Sequence, residues 1–213
     1  MARIAIIGGH GKIALKLERL LSARGDDVDA IVRNPEHASD VESAGATPVV
    51  ADVETLGVDA LARLLADHDA VVWSAGAGGG SPERTDAVDR RAAIRSMDAS
   101  AQAGIARYVM VSYFRSPDRT VPVGDSFRDY AEAKADADEH LAATDLDWTI
   151  LGPSRLTDLA GRGTIDARAT ASGEVSRDDV AAVIAAVLVD PSTIGRTIRF
   201  NDGDVPIADA IRG

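Results

Sequence analysis

The sequence predicts an α/β fold: a doubly wound parallel sheet with helices on both faces and a small C-terminal annex. Three observations carry this. Short β-branched runs alternate with longer amphipathic stretches along the chain, the pattern of βαβ units with right-handed crossovers. The first run ends in a glycine-rich turn that opens a helix. No low-complexity tract, short repeat or linker interrupts the alternation, so the 213 residues read as one domain. Residues 1–151 form its core and 152–213 its annex.

The elements follow in order. Ile4–Ile7 reads as a buried strand. Lys12–Ala23 reads as a helix, with Ile13, Leu15, Leu17, Leu20 and Leu21 as apolar positions and Gly25 closing it. Val28–Val32 is a second strand, and Pro35 opens a short helix to about Ser43. Pro48–Val50 ends a third strand, Val58–Ala66 is helical, and Ala70–Trp73 is a fourth strand. Ser74–Gly80 forms a loop before a long helix over Asp86–Ala103. Tyr108–Ser112 is a fifth strand. Residues 113–124, with Pro117, Pro122 and Gly124, form a loop before a helix over Asp125–Thr144. Trp148–Leu151 is a sixth strand, stopped by Gly152-Pro153. The annex then supplies a short strand over Thr164–Ala169, a helix over Arg177–Leu188, a strand over Thr197–Phe200 and a terminal helix.

Composition excludes several classes of function. The net charge of −11 and pI near 4.7 oppose binding to a nucleic-acid backbone or an anionic membrane. The chain has no Cys, hence no disulfide, thiol nucleophile or Cys-bound metal. His10, His37, His68 and His140 are scattered, and no metal site is expected. Acid is supplied mostly by Asp and base mostly by Arg, a bias that concerns solubility rather than chemistry. The longest strongly apolar run, Val180–Val189, is too short to span a bilayer. Met1–Ile7 runs straight into Gly8-Gly9 without the features of a signal peptide, so a cytoplasmic protein is expected.

Gly8-Gly9-His10-Gly11-Lys12-Ile13-Ala14 satisfies G-x-x-G-x-x-A from Gly8 and G-x-G-x-x-A from Gly9. Between a strand and a helix, such a loop brings backbone N–H groups and the positive end of the helix dipole up to a pyrophosphate. The competing reading is a tight turn with no ligand. Arg33 follows the second strand, where a site for NAD usually carries Asp or Glu to bind the ribose hydroxyls. No acid occupies that end. An arginine fork suits a 2′-phosphate, so NADP (NADPH) is favoured over NAD. Lys12 adds a second candidate cation, and both could equally be solvated surface residues. Asp52-Val53 follows the third strand. Asp52 either accepts from the adenine amino group or caps the next helix. The Ala75-Gly76 turn lets a cofactor lie close to the end of the fourth strand.

Tyr130-Ala131-Glu132-Ala133-Lys134 places Tyr130 and Lys134 on one helix face. A lysine ammonium near the phenol is expected to lower its pKa and make it a usable acid or base. Lys134 is also placed to hold the nicotinamide ribose. Ser112, at the end of the fifth strand, is placed to hydrogen-bond the substrate oxygen as charge develops there. A surface pair four residues apart is the bland alternative. However, the chain has only three Tyr and three Lys.

Together these residues resemble the short-chain dehydrogenase/reductase superfamily, and more narrowly its atypical, NmrA-like NAD(P)H-binding branch, which is epimerase/dehydratase-like. The match is carried by the glycine loop, Arg33, Asp52, Val109–Ser112, Tyr130–Ala135, Leu146–Leu156 and Val175–Ala181, and covers essentially the whole chain. It implies a Rossmann-type fold, NADP binding and a catalytic set of Ser112, Tyr130 and Lys134, with Pro153 beside the cofactor. Two departures from the family pattern stand out: Gly152 where an Arg is usual, and Ala92-Ala93 where many members place an Asn in a proton relay. The expected function is an NADP-dependent oxidoreductase acting on a small carbonyl or alcohol. The alternatives are a sugar-nucleotide epimerase or dehydratase, a cofactor-binding redox sensor without turnover, and a flavin or tetrapyrrole reductase that does not use the tyrosine. A small-molecule substrate is the expected partner. A homodimer would pair the two long helices, as in many relatives.

Overall fold

The computed structural model describes residues 1–78, 81–115 and 127–213. Residues Gly79 and Gly80, residues 116–124 of the loop expected over 113–124 and the helix start expected at Asp125 lie outside the described residues. The first half of the chain runs through β1 (Arg3–Ile7), α1 (Lys12–Arg24), β2 (Asp27–Val32), α2 (Ala38–Ser43), β3 (Thr47–Val50), α3 (Val58–Leu65) and β4 (Ala70–Trp73). Then come α4 (Pro82–Thr85), a π-helical segment over Asp86–Ala92, α5 (Ala93–Gln102), β5 (Arg107–Val111), α6 (Arg128–Ala142) and β6 (Asp147–Pro153). The annex contributes β7 (Arg155–Thr157), β8 (Thr164–Asp166), β9 (Glu174–Ser176), α7 (Arg177–Val187), β10 (Arg196–Asp202), β11 (Val205–Pro206) and α8 (Ile207–Ala210).

Among the described residues nine strands form one sheet in the order β11-β8-β10-β6-β5-β4-β1-β2-β3. From β10 to β3 all neighbours are parallel, while β8 and β11 add an antiparallel edge. β7 and β9 pair separately. This is the Rossmann-type doubly wound sheet, and the alternation of side chains explains why both faces are covered. Ile4 and Ile6 join Val28, Val72 and Val109 on one face, packed with Leu17 and Leu21 of α1 and Val180 and Ile184 of α7. Ala5 and Ile7 join Val71, Trp73 and Met110 on the other, packed with Leu61, Met97 and Leu141. A strand buried on both faces must be apolar at every position, which is why these runs lack alternation in the sequence.

Three expectations change. The sixth strand does not stop at Leu151. Gly152 and Pro153 pair with Arg199 and Phe200 of β10, and the Pro153 carbonyl accepts from Phe114 N at 2.8 Å. The long helix starts at Pro82, not Asp86, because Ser81 caps it through Arg84 N, and a π-helical stretch over Asp86–Ala92 separates its first α-helical turn from α5. The annex holds two short strands, β7 and β9, where the sequence reading placed no element. Among the described residues no helix is long and apolar enough to cross a membrane.

Candidate functional site

The strand order places β1 between β2 and β4: the chain runs from β1 to β2 and β3, then crosses back to β4 on the other side of β1, which opens a crevice at the carboxyl ends. Glycine lines that crevice for a steric reason. Gly8 has φ +90°, and a Cβ on it would lie 2.6 Å from the backbone N of Ala75, in the loop after β4. A Cβ on Gly9 would lie 2.6 Å from the Ala30 side chain on β2. Gly11 then opens α1 with no side-chain cap and no acid in its first turn, which leaves the helix N-terminus to an anion. A groove of about 400 Å³ runs over this loop. Of the residues singled out in the sequence, Gly8, His10, Gly11, Arg33, Asp52, Val53, Ala75 and Gly76 line it.

Other candidates lie outside the groove. Gly9 and Ile13 are buried behind it. Lys12 turns away, its Nζ donating to Asp158 at 2.8 Å. Asp52 does not cap α3, whose cap is Gly57; its carboxylate accepts instead from Glu54 N at 3.0 Å and holds the turn after β3. Acid does reach the end of β2, but from another loop. Arg33 Nη1 donates to Glu54 Oε1 at 2.6 Å, and Arg84 Nη2 reaches the same oxygen at 3.5 Å. Two guanidiniums thus share one carboxylate in the groove. His10 stacks on His37 with ring centroids 3.6 Å apart and hydrogen-bonds Asp40 at 2.8 Å. Among the described residues no three His, Asp or Glu side chains converge as metal ligands.

A second cavity, of about 630 Å³, opens beside the ends of β5 and β6. Ser112, Tyr130 and Pro153 line it together. Lys134 does not. It is 1% exposed, and its Nζ donates to the Val111 carbonyl at 2.9 Å beneath the cavity. Ser112 Oγ donates to Asp138 Oδ2 at 2.6 Å, and both residues are buried. Asp89 also acts on Lys134 and accepts from Ala77 N at 3.0 Å. One buried ammonium therefore serves two buried carboxylates.

This electrostatics reverses one expectation. Lys134 was expected to lower the Tyr130 pKa. Instead burial raises it, and the nearby Asp89 and Asp138 raise it further. The ammonium is tied to Val111, and the field at the phenol is that of two carboxylates. Burial also pushes the carboxyls of Asp138 and Asp89 up, against the pull of Lys134. It pushes Lys134 down, against the pull of both aspartates.

Sequence reasoning missed Asp89, Asp138, Glu54 and Arg84. Only Asp138 left a readable signal, since Tyr130, Lys134 and Asp138 follow at four-residue steps on one helix. The others are brought in by topology.

A glycine-lined crevice at the switch point of a doubly wound sheet, ending at an uncapped helix N-terminus, defines a dinucleotide-binding protein. The comparisons agree. Residues 8–191 match the NAD(P)H-binding family, and the chain belongs to that family. It is 34% identical over 213 residues to YhfK of Bacillus subtilis, named as an uncharacterized sugar epimerase, across 99% of both chains. It is similar to the structure of a Bacillus halodurans protein provisionally named an NAD-dependent epimerase/dehydratase (33% identity, TM-score 0.88, 99% of both chains). It is also similar to that of the Lactococcus lactis oxidoreductase ylbE (29% identity, TM-score 0.87, 98% of this chain and 94% of that one). The resident cofactor is thus a nicotinamide dinucleotide, and the residues present fit one: the Gly8 cradle, the open end of α1 and the cationic pair beside Glu54.

Proposed function

We propose that the protein is an NADP(H)-dependent oxidoreductase that reduces a small carbonyl compound. The observation that carries this is the shared cavity of Ser112 and Tyr130, with Lys134 beneath it, beside a dinucleotide groove. Gly8, Gly11 and the start of α1 hold the pyrophosphate. Asp52 and Val53 flank the adenine, and Ala75 and Gly76 pass the cofactor toward the second cavity. Arg33 and Arg84 take the 2′-phosphate; with only Glu54 between them they carry one surplus positive charge.

When bound, the nicotinamide supplies the hydride. The chain supplies the proton. Tyr130, kept neutral chiefly by burial, donates from Oη to the substrate oxygen. An alkoxide is a stronger base than a phenolate, so the raised pKa still permits this transfer. Ser112 orients the same oxygen. Lys134 fixes the end of β5 through Val111 and balances the two aspartates.

The test is NADPH consumption over a panel of aldehydes and ketones. Tyr130→Phe is expected to lower kcat about 100-fold or more while NADPH still binds. Full turnover of a genuine substrate by that variant would refute the role. A second reading, an epimerase, has the names of the Bacillus relatives in its favour. Tightly held NAD in the purified protein, rather than exchangeable NADP, would decide for it.

A further inference from the structure

The aromatic residues of this chain are unevenly placed. It has three Phe, three Tyr and two Trp, and Tyr113, Phe114, Phe127 and Tyr130 all line the second cavity. Three of these rings contact one another: Tyr113 meets Phe127 edge-on at 5.3 Å, and Tyr130 lies 5.6 Å from Tyr113 and 5.1 Å from Phe127. Phe127 is 42% exposed although it is large and apolar. Such a wall offers ring faces and edges to a flat ligand.

The lining is also cationic. Arg155 and Arg177 line the cavity, and none of the described lining residues is Asp or Glu. In a chain of net charge −11, a pocket with this lining is a local exception. Both guanidiniums are held in place. Arg155 is paired with Glu174. Arg177 Nη1 donates to Asp158 Oδ1 at 2.8 Å, and the other oxygen of Asp158 takes Lys12 at 2.8 Å. One carboxylate between two cations leaves a surplus positive charge around Arg177. An arginine already fixed by a partner loses less freedom when it also takes a ligand.

We infer that this cavity takes a small ring-bearing carbonyl compound that carries an oxyanion group, carboxylate or phosphate. The ring lies against Tyr113, Phe127 and Tyr130, the carbonyl reaches Tyr130 and Ser112, and the anion sits on Arg177 and Arg155. The volume of about 630 Å³ suits a one- or two-ring molecule. The inference rests on the reading of this cavity as the substrate site.

The test compares para-formylbenzoate, para-formylphenyl phosphate, benzaldehyde and para-formylbenzamide as NADPH-linked substrates. At least one anionic aldehyde is expected to exceed the amide in kcat/KM by about tenfold or more, as a charge-assisted contact implies. The better of the two anions identifies the group. In Arg177→Gln the ratio of anion to amide falls several-fold, and Arg155→Gln lowers it independently. Equal kcat/KM for anion and amide, or a preference intact in both variants, overturns the inference. If no aldehyde is reduced, the reaction fails rather than the site. Binding of benzoate against benzamide, followed by ligand NMR on wild type and Arg177→Gln, then decides. Benzoate bound better, with the gain lost in the variant, upholds the anion site; equal binding overturns it.

Discussion

At the scale of single residues, the direction of one hydrogen bond governs the site. Ser112 has one proton. When Asp138 is ionised, Ser112 donates to it and has nothing left for a substrate oxygen. When Asp138 is protonated, its carboxyl can donate to Ser112 Oγ, and the serine proton turns toward the cavity. Burial favours that second arrangement by raising the Asp138 pKa. The charged and titratable groups around it are Lys134, Glu139 and Tyr130 on α6, Arg115 and Tyr113 after β5, and Asp89 from the π-helical segment. Reductase activity should therefore fall as pH rises through the Asp138 titration. Asp138→Asn keeps a donor to Ser112 and cannot ionise, so this limb of the pH–rate profile should vanish while turnover persists. Asp138→Ala should lose about tenfold or more in kcat, and the same change in a Ser112→Ala background should cost little more. A limb unchanged in Asp138→Asn would contradict this account. The residues legible in the sequence were those set by local spacing, Tyr130 with Lys134 and the glycine loop. Asp89, Glu54 and Arg84 were not, because only the folded sheet brings them to their partners.

At the scale of elements, α1 carries an unpaired cost. Glu18 is fully buried, with neither carboxylate oxygen hydrogen-bonded among the described residues. Burial raises its pKa from 4.5 to about 8. The folded state then holds a proton that the unfolded chain has released, so this residue makes stability fall as pH climbs from about 4.5 to about 8. At pH 7 the loss is roughly 3 kcal/mol, at about 1.4 kcal/mol per pKa unit. Glu18→Met, apolar and of similar length, should raise the melting temperature at pH 7–8 and gain little near pH 4.5. A gain equal at both pH values would show that packing, not ionisation, is at stake. Elsewhere, the long strands and helices were legible because each buries a whole face. β7 and β9, three residues each, carry too few side chains to show a period. β6 was cut short because Gly152-Pro153 reads as a stop, whereas pairing with β10 carries the strand through it. The π-helical segment between α4 and α5 has no sequence signature in the spacing of its apolar residues.

At the scale of the whole molecule, the sheet order was legible as a class and decisive as geometry. Alternating strands and helices predicted a parallel sheet, and the crossing from β1 to β2 and back to β4 sets Gly8 against Ala75. The nicotinamide-dinucleotide groove thus follows from topology as much as from the glycine motif. A ligand that binds only the folded chain stabilises it by mass action, by about 2.7 kcal/mol at a hundred times Kd. NADPH should therefore raise the melting temperature more than NADH at equal concentration, and Gly8→Val, which drives a side chain into Ala75, should abolish both shifts. The central claim, a groove built for NADP(H), is tested most directly by titrating wild type and Arg33→Ala with NADPH and with NADH, following nicotinamide fluorescence. The account predicts NADPH bound about tenfold or more tightly by wild type, with most of that preference lost in the variant. Equal affinity for the two cofactors in wild type, or a preference untouched by Arg33→Ala, would contradict it.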